Sequence, residues 1–354
     1  MMKIKKRGFG VLSDGSKLHL YTLSNGVMSF SVTDYGCIIT SLFMPDRQGK
    51  LEDIVLGYST IEGYINDTNT YFGSCVGRYA NRIANAHFTL NGTEYRLDAN
   101  NGTACLHGGF KGYNRMVWKS KAFRKSDEIG VRFSRTSFDG EQGFPGKLKI
   151  EVEYALTKSN ELIFRYKALA KKDTVVCLTN HSYYNLAGEG TLDILSHRMR
   201  INADSYLPVN SDLIPLKKTA VEKTAFDFRV FKNIGQDIKK AGGYDHCFCL
   251  DTTHKPCTEG AAKGLLLCAE VEESVSGRTM SVYTDCPGVQ FYTGNFLDVA
   301  FGKNGLPYKK HGGFCLETES FPDSPNRSDF PSVVVKAGTV YESRTVHKFG
   351  ILGG

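Results

Sequence analysis

The sequence predicts an all-β protein, a large antiparallel β-sandwich with few short helices. Apolar and polar residues alternate along much of the chain, as in residues 147–156, which reads as a strand with one solvated face. Residues 157–160 then predict a turn into a second alternating segment at 162–166. Helical patterns are confined to residues 59–64 and 233–240. Many alternating strands with so little helix are typical of a sandwich.

Turn residues punctuate these strands along the whole chain. Asn25-Gly26 and Asn91-Gly92 each precede a new alternating segment, and Asn-Gly tolerates the positive φ angles of a tight hairpin. The 37 glycines are distributed evenly, and no Pro- or Ser-rich linker separates two halves. We therefore expect a single domain over residues 1–354.

Composition favours a globular protein of the cytoplasm. Hydrophobic residues make up 41% of the chain and charged residues 23%, and no segment approaches the roughly 18 apolar residues that span a bilayer. The basic start MMKIKKRGFG is not followed by the apolar stretch of a signal peptide. Ten cysteines without a regular spacing are typical of reduced, buried thiols. We expect no membrane partner.

Neither a nucleic acid nor a metal is expected as a partner. The 44 basic and 37 acidic residues are interleaved, and the one dense basic cluster lies within residues 3–7. Cys247 and Cys249 follow His246, but no second Cys/His pair with zinc spacing lies nearby. The sequence predicts no cofactor.

His181 lies where a hydrophobic segment ends. Residues 175–178 are apolar at every position, which is typical of a strand buried on both faces, and residues 179–182 are polar. A titratable side chain at the end of such a strand is held rigidly and still meets a ligand. The structural alternative is a core histidine that a neighbouring carbonyl group satisfies.

Three further polar residues lie close to glycines, and each has a structural alternative. Arg82 can be an ion-pair partner, and His107 can cap the turn at Gly108. Asp245 can form an Asx turn after a Gly-Gly corner.

Glu317 belongs to an alternating segment, residues 314–319. Alternation places Cys315, Glu317 and Glu319 on one face of this strand, opposite apolar residues. A carboxylate in such a position is not obviously solvated, which favours a functional role.

Five segments resemble signatures of the aldose 1-epimerase (galactose mutarotase) family, in the family's order. They are GRYANRIA (77–84), LHGG (106–109), NHSYYNLAG (180–188), GVQFYTGNFLD (288–298) and FCLETESFPDSPN (314–326). Each alone is a weak signal, but together they span nearly the whole chain. The resemblance implies the galactose mutarotase-like supersandwich, with an open groove that binds a free hexose such as D-galactose or D-glucose.

The resemblance also implies roles for individual residues. Exchanging anomers requires the C1 hydroxyl to lose a proton while the ring oxygen gains one. Glu317 matches the family's base at the C1 hydroxyl, His181 matches its acid at the ring oxygen, and His107 matches a supporting hydrogen-bond donor. The residues that match its sugar-binding positions are Asn81, Arg82, Asp245 and Gln290, with Phe291 or Tyr292 as an apolar platform.

Two expectations concern ionisation. We expect His181 to be partly protonated near neutral pH and Glu317 to be ionised in the free enzyme. The family commonly has Thr-Gln after its glutamate, whereas Glu319 replaces the glutamine here. If Glu319 approaches Glu317, repulsion would raise the pKa of a carboxyl group in the pair.

Two other functions compete with this interpretation. A hexose-6-phosphate 1-epimerase would need cations at a phosphate, and Arg78 and Lys111 are the candidates. A non-catalytic sugar-binding β-sandwich would need no acid and no base, whereas this chain has both His181 and Glu317. We expect a small-molecule hexose as the partner, and a monomer or a weak homodimer.

Overall fold

The computed structural model describes residues 1–251, 253 and 255–353. In the first half of the chain the strands are β1 (Lys3–Val11), β2 (Lys17–Ser24), β3 (Ser29–Thr33), β4 (Ile39–Pro45), β5 (Leu51–Asp53), β6 (Cys75–Val76), β7 (Arg82–Ile83), β8 (His87–Leu90), β9 (Thr93–Arg96), β10 (Cys105–Leu106), β11 (Lys119–Arg124), β12 (Glu128–Ser137), β13 (Leu148–Thr157), β14 (Glu161–Ala170) and β15 (Thr174–Val175). In the second half they are β16 (Thr179–Asn180), β17 (Arg198–Ile201), β18 (Ser205–Leu207), β19 (Thr219–Ala220), β20 (Lys232–Asn233), β21 (Asp245–Cys249), β22 (Leu266–Glu272), β23 (Arg278–Thr284), β24 (Gly288–Tyr292), β25 (Cys315–Glu319), β26 (Val334–Val335) and β27 (Val340–Ile351).

Three large antiparallel sheets build the sandwich. The first has the order β1-β2-β3-β4-β5, the second β11-β12-β13-β14-β27-β23-β22-β17-β20, and the third β19-β18-β21-β24-β25. The largest cluster of buried side chains draws on all three sheets, with Phe30 from the first, Phe164 from the second and Phe291 from the third. The predicted all-β sandwich is confirmed.

The hairpins follow the sequence prediction with one difference. Asn91 and Gly92 form a two-residue turn in which both φ angles are positive, and Leu90 pairs with Thr93. The predicted hairpin of residues 157–160 joins β13 to β14. The Asn25-Gly26 turn is longer than a two-residue hairpin, because Ser24 pairs with Ser29.

The outer face of the second sheet is less solvated than the alternation of residues 147–156 predicts. Ala262 and Leu265 pack against Ala155, Ile163 and Val346 on this face, so the segment before β22 covers the sheet. This contact gives a structural role to the loop 254–264, which the sequence left without one. His254 itself lies outside the described residues.

Helices are short, as the sequence predicts. α1 (Ile61–Asn66) and α2 (Ile238–Ala241) both begin later than the helical patterns indicate. α2 ends at Gly242, which has a φ of +74°, and the Gly243 amide donates to the carbonyl of Ile238. Among the described residues, no helix has the length and apolarity needed to cross a membrane.

Candidate active site

A cleft of about 400 Å³ opens between the third sheet and the loops that follow β5, β10 and β16. All seven of the site residues predicted from the sequence line it, although they are distributed over more than 230 positions of the chain: Asn81, Arg82, His107, His181, Asp245, Gln290 and Glu317. Polar side chains that converge in one concavity are typical of a ligand site.

The third sheet positions the carboxylates of the cleft. β24 lies between β21 and β25, and its register pairs Gln290 with Glu317 and Tyr292 with Asp245. Side chains of directly paired residues point to the same face of a sheet. The sheet therefore brings Asp245, Gln290 and Glu317 to the cleft floor in adjacent rows.

Backbone hydrogen bonds fix His181 at the opposite wall. Its amide donates to the carbonyl of Ser74, and its carbonyl accepts from the amide of Gly73. β16 ends at the residue before His181 and packs against β25, which carries Glu317. As a result, Nε2 of His181 lies 3.5 Å from Oε1 of Glu317.

The strand predicted just before His181 is interrupted. All four residues of 175–178 are buried, but only Val175 belongs to a strand, β15. Cys177 forms an isolated parallel bridge with Tyr79, and the next strand, β16, begins at Thr179. The prediction that residues 175–178 are buried is therefore confirmed. The prediction that they form one continuous strand is wrong.

The second histidine is held by the backbone next to Arg82. The amide of Asn81 donates to Nδ1 of His107 over 3.1 Å, so a neutral imidazole carries its proton on Nε2 and is a donor there. Asn81 and His107 have positive φ angles of 61° and 53°, a strain that is common at functional sites. Gly108 is required beside them, because a Cβ there would lie 2.1 Å from the carbonyl oxygen of Gly77.

Arg82 and Asp245 complete the polar wall. Nε of Arg82 donates to the side chain of Asn101 over 3.1 Å. Asp245 is the first residue of β21, and its carboxylate accepts from Nε2 of Gln290 over 2.6 Å, an interaction across strands rather than within a turn. Burial raises the pKa of Asp245, while Arg82 and the Gln290 hydrogen bond lower it.

The ionisation states differ from those expected for His181 and Glu317. Burial lowers the pKa of His181 to about 4 and places the pKa of His107 well below its usual range. Burial, and then the charges of Glu319 and Asp245, raise the pKa of Glu317 well above its usual value. Burial therefore disfavours both charged forms, the imidazolium of His181 and the carboxylate of Glu317.

Glu319 does approach Glu317, as the shared strand face predicts. Its side chain is buried beneath the cleft, and one oxygen, Oε1, accepts from Nδ2 of Asn81 over 3.0 Å. Burial raises the pKa of Glu319 to about 8. Repulsion by Glu319 contributes to the raised pKa of Glu317, as predicted, whereas burial is the larger cause there and the main cause of the raised pKa of Glu319.

Tyr71 is a cleft residue that the sequence did not single out, and the cleft also decides between Phe291 and Tyr292 as the apolar platform. The ring of Tyr71 packs 4.7 Å from the ring of His107 and 5.8 Å from that of His181, between centroids. Tyr292 lines the cleft, whereas Phe291 is stacked on Tyr244 in the core. Tyr292 alternates in phase with Gln290, which agrees with its place in the cleft, whereas Tyr71 lies in a loop and no sequence pattern indicated it.

The metal-ligand candidates fall into two groups. Cys247 and Cys249 are buried in an apolar cluster with Leu207 and two phenylalanines. Separately, His107, His181 and Glu317 each bring a possible ligand atom within 4.8 Å of the others. Two imidazoles and a carboxyl group are also the side-chain types that general acid/base chemistry uses.

The fold and the cleft define a class: a β-sandwich enzyme in which a buried histidine and a buried glutamate meet at a polar cleft. Comparison with known proteins specifies the family. A family model described as aldose 1-epimerase matches residues 19–348. The chain belongs to the aldose 1-epimerase family, and it is an isomerase.

Relatives match over essentially their whole length. Galactose mutarotase of Bos taurus is 44% identical over 99% of this chain and 100% of its own. Aldose 1-epimerase of Escherichia coli K12 is 36% identical over 95% of this chain and 96% of its own.

Solved structures agree with the fold. An aldose epimerase homologue from C. elegans superposes with a TM-score of 0.82 at 28% identity, over 92% of this chain and 97% of that one. Galactose 1-epimerase from Lactobacillus acidophilus superposes with a TM-score of 0.83 at 25% identity, over 99% and 100%.

Proposed function

We propose that this protein interconverts the α and β anomers of free hexoses, D-galactose and D-glucose among them, through ring opening and reclosure. The observation that carries the proposal is the 3.5 Å approach of His181 to Glu317 in a cleft with Arg82 and Asp245. Anomer exchange requires a base and an acid within reach of two oxygens bonded to the same carbon, C1, so neighbouring groups suit it.

The proposed steps transfer protons, break the bond between C1 and the ring oxygen as the C1 aldehyde forms, and reform that bond on reclosure. Glu317 accepts the proton of the C1 hydroxyl while His181 donates one to the ring oxygen, and the bond between C1 and the ring oxygen breaks. Rotation about the C1–C2 bond then presents the other face of the aldehyde. On reclosure, His181 takes the proton back and Glu317 returns one to the new C1 hydroxyl, so the enzyme ends in its starting state.

This cycle is compatible with the pKa shifts of His181 and Glu317. Opening begins with a protonated histidine and an ionised glutamate, and it ends with both neutral. The two states hold the same number of protons, and burial of the two side chains favours the second state, in which both are uncharged. The approach of His181 to Glu317 allows the proton to pass between them, directly or through the sugar oxygens.

His107 and the polar wall support binding and charge development. The Nε2–H of His107 is a neutral donor for the ring oxygen as charge develops there. The guanidinium of Arg82 can donate to adjacent sugar hydroxyls, and Asp245, Asn81 and Gln290 can accept or donate at others. The apolar ring of Tyr292 suits the C–H face of a hexose.

A phosphosugar substrate fits this cleft poorly. The guanidinium of Arg78 is buried away from the cleft and donates to the carbonyls of Pro145 and Gly146. Lys111 does not line the cleft either, and Arg82 is the one arginine or lysine among the described lining residues. Two carboxyl groups on the floor would repel a phosphate dianion.

Polarimetry on freshly dissolved sugars tests the proposal. We expect the protein to accelerate mutarotation of α-D-galactose and α-D-glucose well above the spontaneous rate, and α-D-glucose 6-phosphate much less. An unchanged rate for both free sugars, with binding retained, would identify a non-catalytic sugar-binding protein. Faster turnover of the phosphate would identify the phosphosugar enzyme.

We further propose that residues 1–354 act as one aldose 1-epimerase domain, as a monomer or weak homodimer in the cytoplasm. Support comes from the cleft, whose lining residues run from Thr68 to Glu317 of a single chain. The ten free cysteines suit a reducing compartment. Sedimentation equilibrium at micromolar concentration tests the oligomeric state, and a tetramer would contradict it.

A further inference from the structure

The carboxyl group of Glu319 is enclosed more completely than any group that lines the cleft. Its exposed fraction is 0%, compared with 2% for Glu317. It does not line the cleft, so a hexose there does not touch it. Any effect of Glu319 on the reaction therefore passes through Glu317 or through Asn81, its hydrogen-bond partner.

The surroundings of Glu319 penalise a negative charge. The neutral thiols of Cys177 and Cys247 and the phenol of Tyr79 are among the groups that face it, and the amide of Ser320 donates to the sulfur of Cys177 rather than to the carboxylate. The titratable or charged groups near it, besides Glu317, are Tyr79, Arg82, Cys177, Asp245, Cys247 and Cys286. Arg82 is the one cation among them, and Asp245 opposes it. Burying an ionised carboxylate with so little compensating charge costs free energy of folding, whereas burying the neutral acid costs much less.

Glu317 and Glu319 each have one buried carboxyl oxygen without a hydrogen-bond partner, and one hydrogen bond between the two side chains would satisfy both. Oε2 of Glu319 and Oε2 of Glu317 are both buried, and both are without a hydrogen-bond partner. The side chains belong to residues i and i+2 of β25, so they project from the same face of one strand. Two carboxylates cannot satisfy one another, but a carboxylic acid and a carboxylate can, because the acid has an O–H donor.

We propose that Glu319 is a positioning residue for the epimerisation, which remains a neutral carboxylic acid at neutral pH and donates its proton as a hydrogen bond to Glu317. The hydrogen bond holds the Glu317 carboxylate in place while it receives the proton of the C1 hydroxyl. The pKa of about 8 for Glu319 agrees with a group that stays protonated there.

The role of Glu319 as a donor rests on the proposed function, whereas its protonation does not. Three variants separate the two statements. Glu319→Gln keeps the size, a donor group and an acceptor for Asn81, whereas Glu319→Met keeps the approximate size without either. Glu342→Gln removes an exposed carboxylate on β27 as a matched control. Loss of the acceptor alone would act on the sugar-binding residue Asn81 and so raise KM, whereas loss of the donor lowers kcat.

Kinetics on α-D-galactose test the donor. We expect Glu319→Gln to keep kcat within about threefold of the parent and Glu319→Met to lose about tenfold or more, with KM little changed in both, because one hydrogen bond to a charged group is lost. Equal kcat values for folded Gln and Met variants, whether high or low, would overturn the donor role.

Thermal unfolding between pH 4.5 and 8 tests the protonation without using activity. An acid that stays protonated when folded and ionises when unfolded makes the folded state less stable as pH rises through this window. We therefore expect the Tm of Glu319→Gln to rise relative to the parent across the window, and the Tm of Glu342→Gln not to. A difference in Tm between Glu319→Gln and the parent that stays constant with pH would show that Glu319 is ionised in the fold. A parent whose Tm rises relative to that of Glu319→Gln would show the same.

The two proposals can fail separately. If the parent has no epimerase activity, the proposed function fails, while the Tm measurement still reports whether Glu319 is protonated.

Discussion

Nε2 of His181 and Oε1 of Glu317 lie 3.5 Å apart, although 136 positions separate the residues in the chain. Each is held by a different element: His181 directly follows β16, and Glu317 is the central residue of β25. Packing of β16 against β25 creates the pair. A buried acid and a buried base at this distance can exchange one proton with a hexose and recover it within a single turnover.

Replacement of His181 by asparagine should reduce kcat on α-D-galactose by about 10²- to 10⁴-fold, the usual contribution of a general acid. His87→Gln is the matched control, because His87 begins β8 and contacts a carbonyl outside the cleft. Its kcat should equal that of the parent. If His181→Asn retained most of the parent's kcat, another group would have to protonate the ring oxygen.

The pH dependence of kcat/KM should reflect a pair that holds one proton. The pair of His181 and Glu317 binds a second proton only when His181 is protonated as well. Because the pKa of His181 is about 4, this second protonation occurs far below neutral pH. We expect kcat/KM to stay nearly constant from pH 7 down to about 5, and to fall at alkaline pH as the pair loses its proton. An acid limb near the ordinary histidine value, about 6.5, would contradict the lowered pKa.

Acid should destabilise the protein through its buried histidines. Burial lowers the pKa of His347 to about 3 and that of His197 to about 4. Between pH 6.5 and 4 these side chains bind protons when the chain unfolds but not while it is folded, so stability falls as pH falls. His347→Gln should weaken this dependence of Tm on pH. An equally steep dependence in the variant would show that His347 does not contribute.

Arg82→Lys should raise KM more than it lowers kcat. Lysine keeps the charge but lacks the planar fork that donates to two neighbouring oxygens, and we expect an increase in KM of about tenfold. Arg124→Lys, at an exposed position, is the control and should leave KM unchanged. A lower kcat with an unchanged KM would place Arg82 in the chemical step instead.

The sequence predicted the strands and the shared face of Glu317 and Glu319 because these depend on local alternation. It did not predict that β16 would pack against β25, since that contact joins distant segments. Only the family resemblance grouped the seven cleft residues in advance. Tyr71 was missed because a loop carries no periodic pattern.

The ionisation of the acid/base pair was predicted incorrectly for a physical reason. Residue type gives the usual pKa of histidine and glutamate, but the direction of a shift depends on burial and on neighbours. His181 and Glu317 are 5% and 2% exposed, and desolvation is the main cause of both shifts. The glutamate neighbour could be anticipated from the alternation, whereas the depth of the cleft could not.

Anomer exchange measured by NMR on α-D-galactose, with the parent, Glu317→Gln and Glu342→Gln, tests the central claim most directly. We expect the parent and Glu342→Gln to exchange the anomers equally fast, and Glu317→Gln to be slower by about 10²-fold or more while it still binds galactose. If Glu317→Gln exchanged the anomers as fast as the parent, Glu317 would not be the base and the account would be wrong.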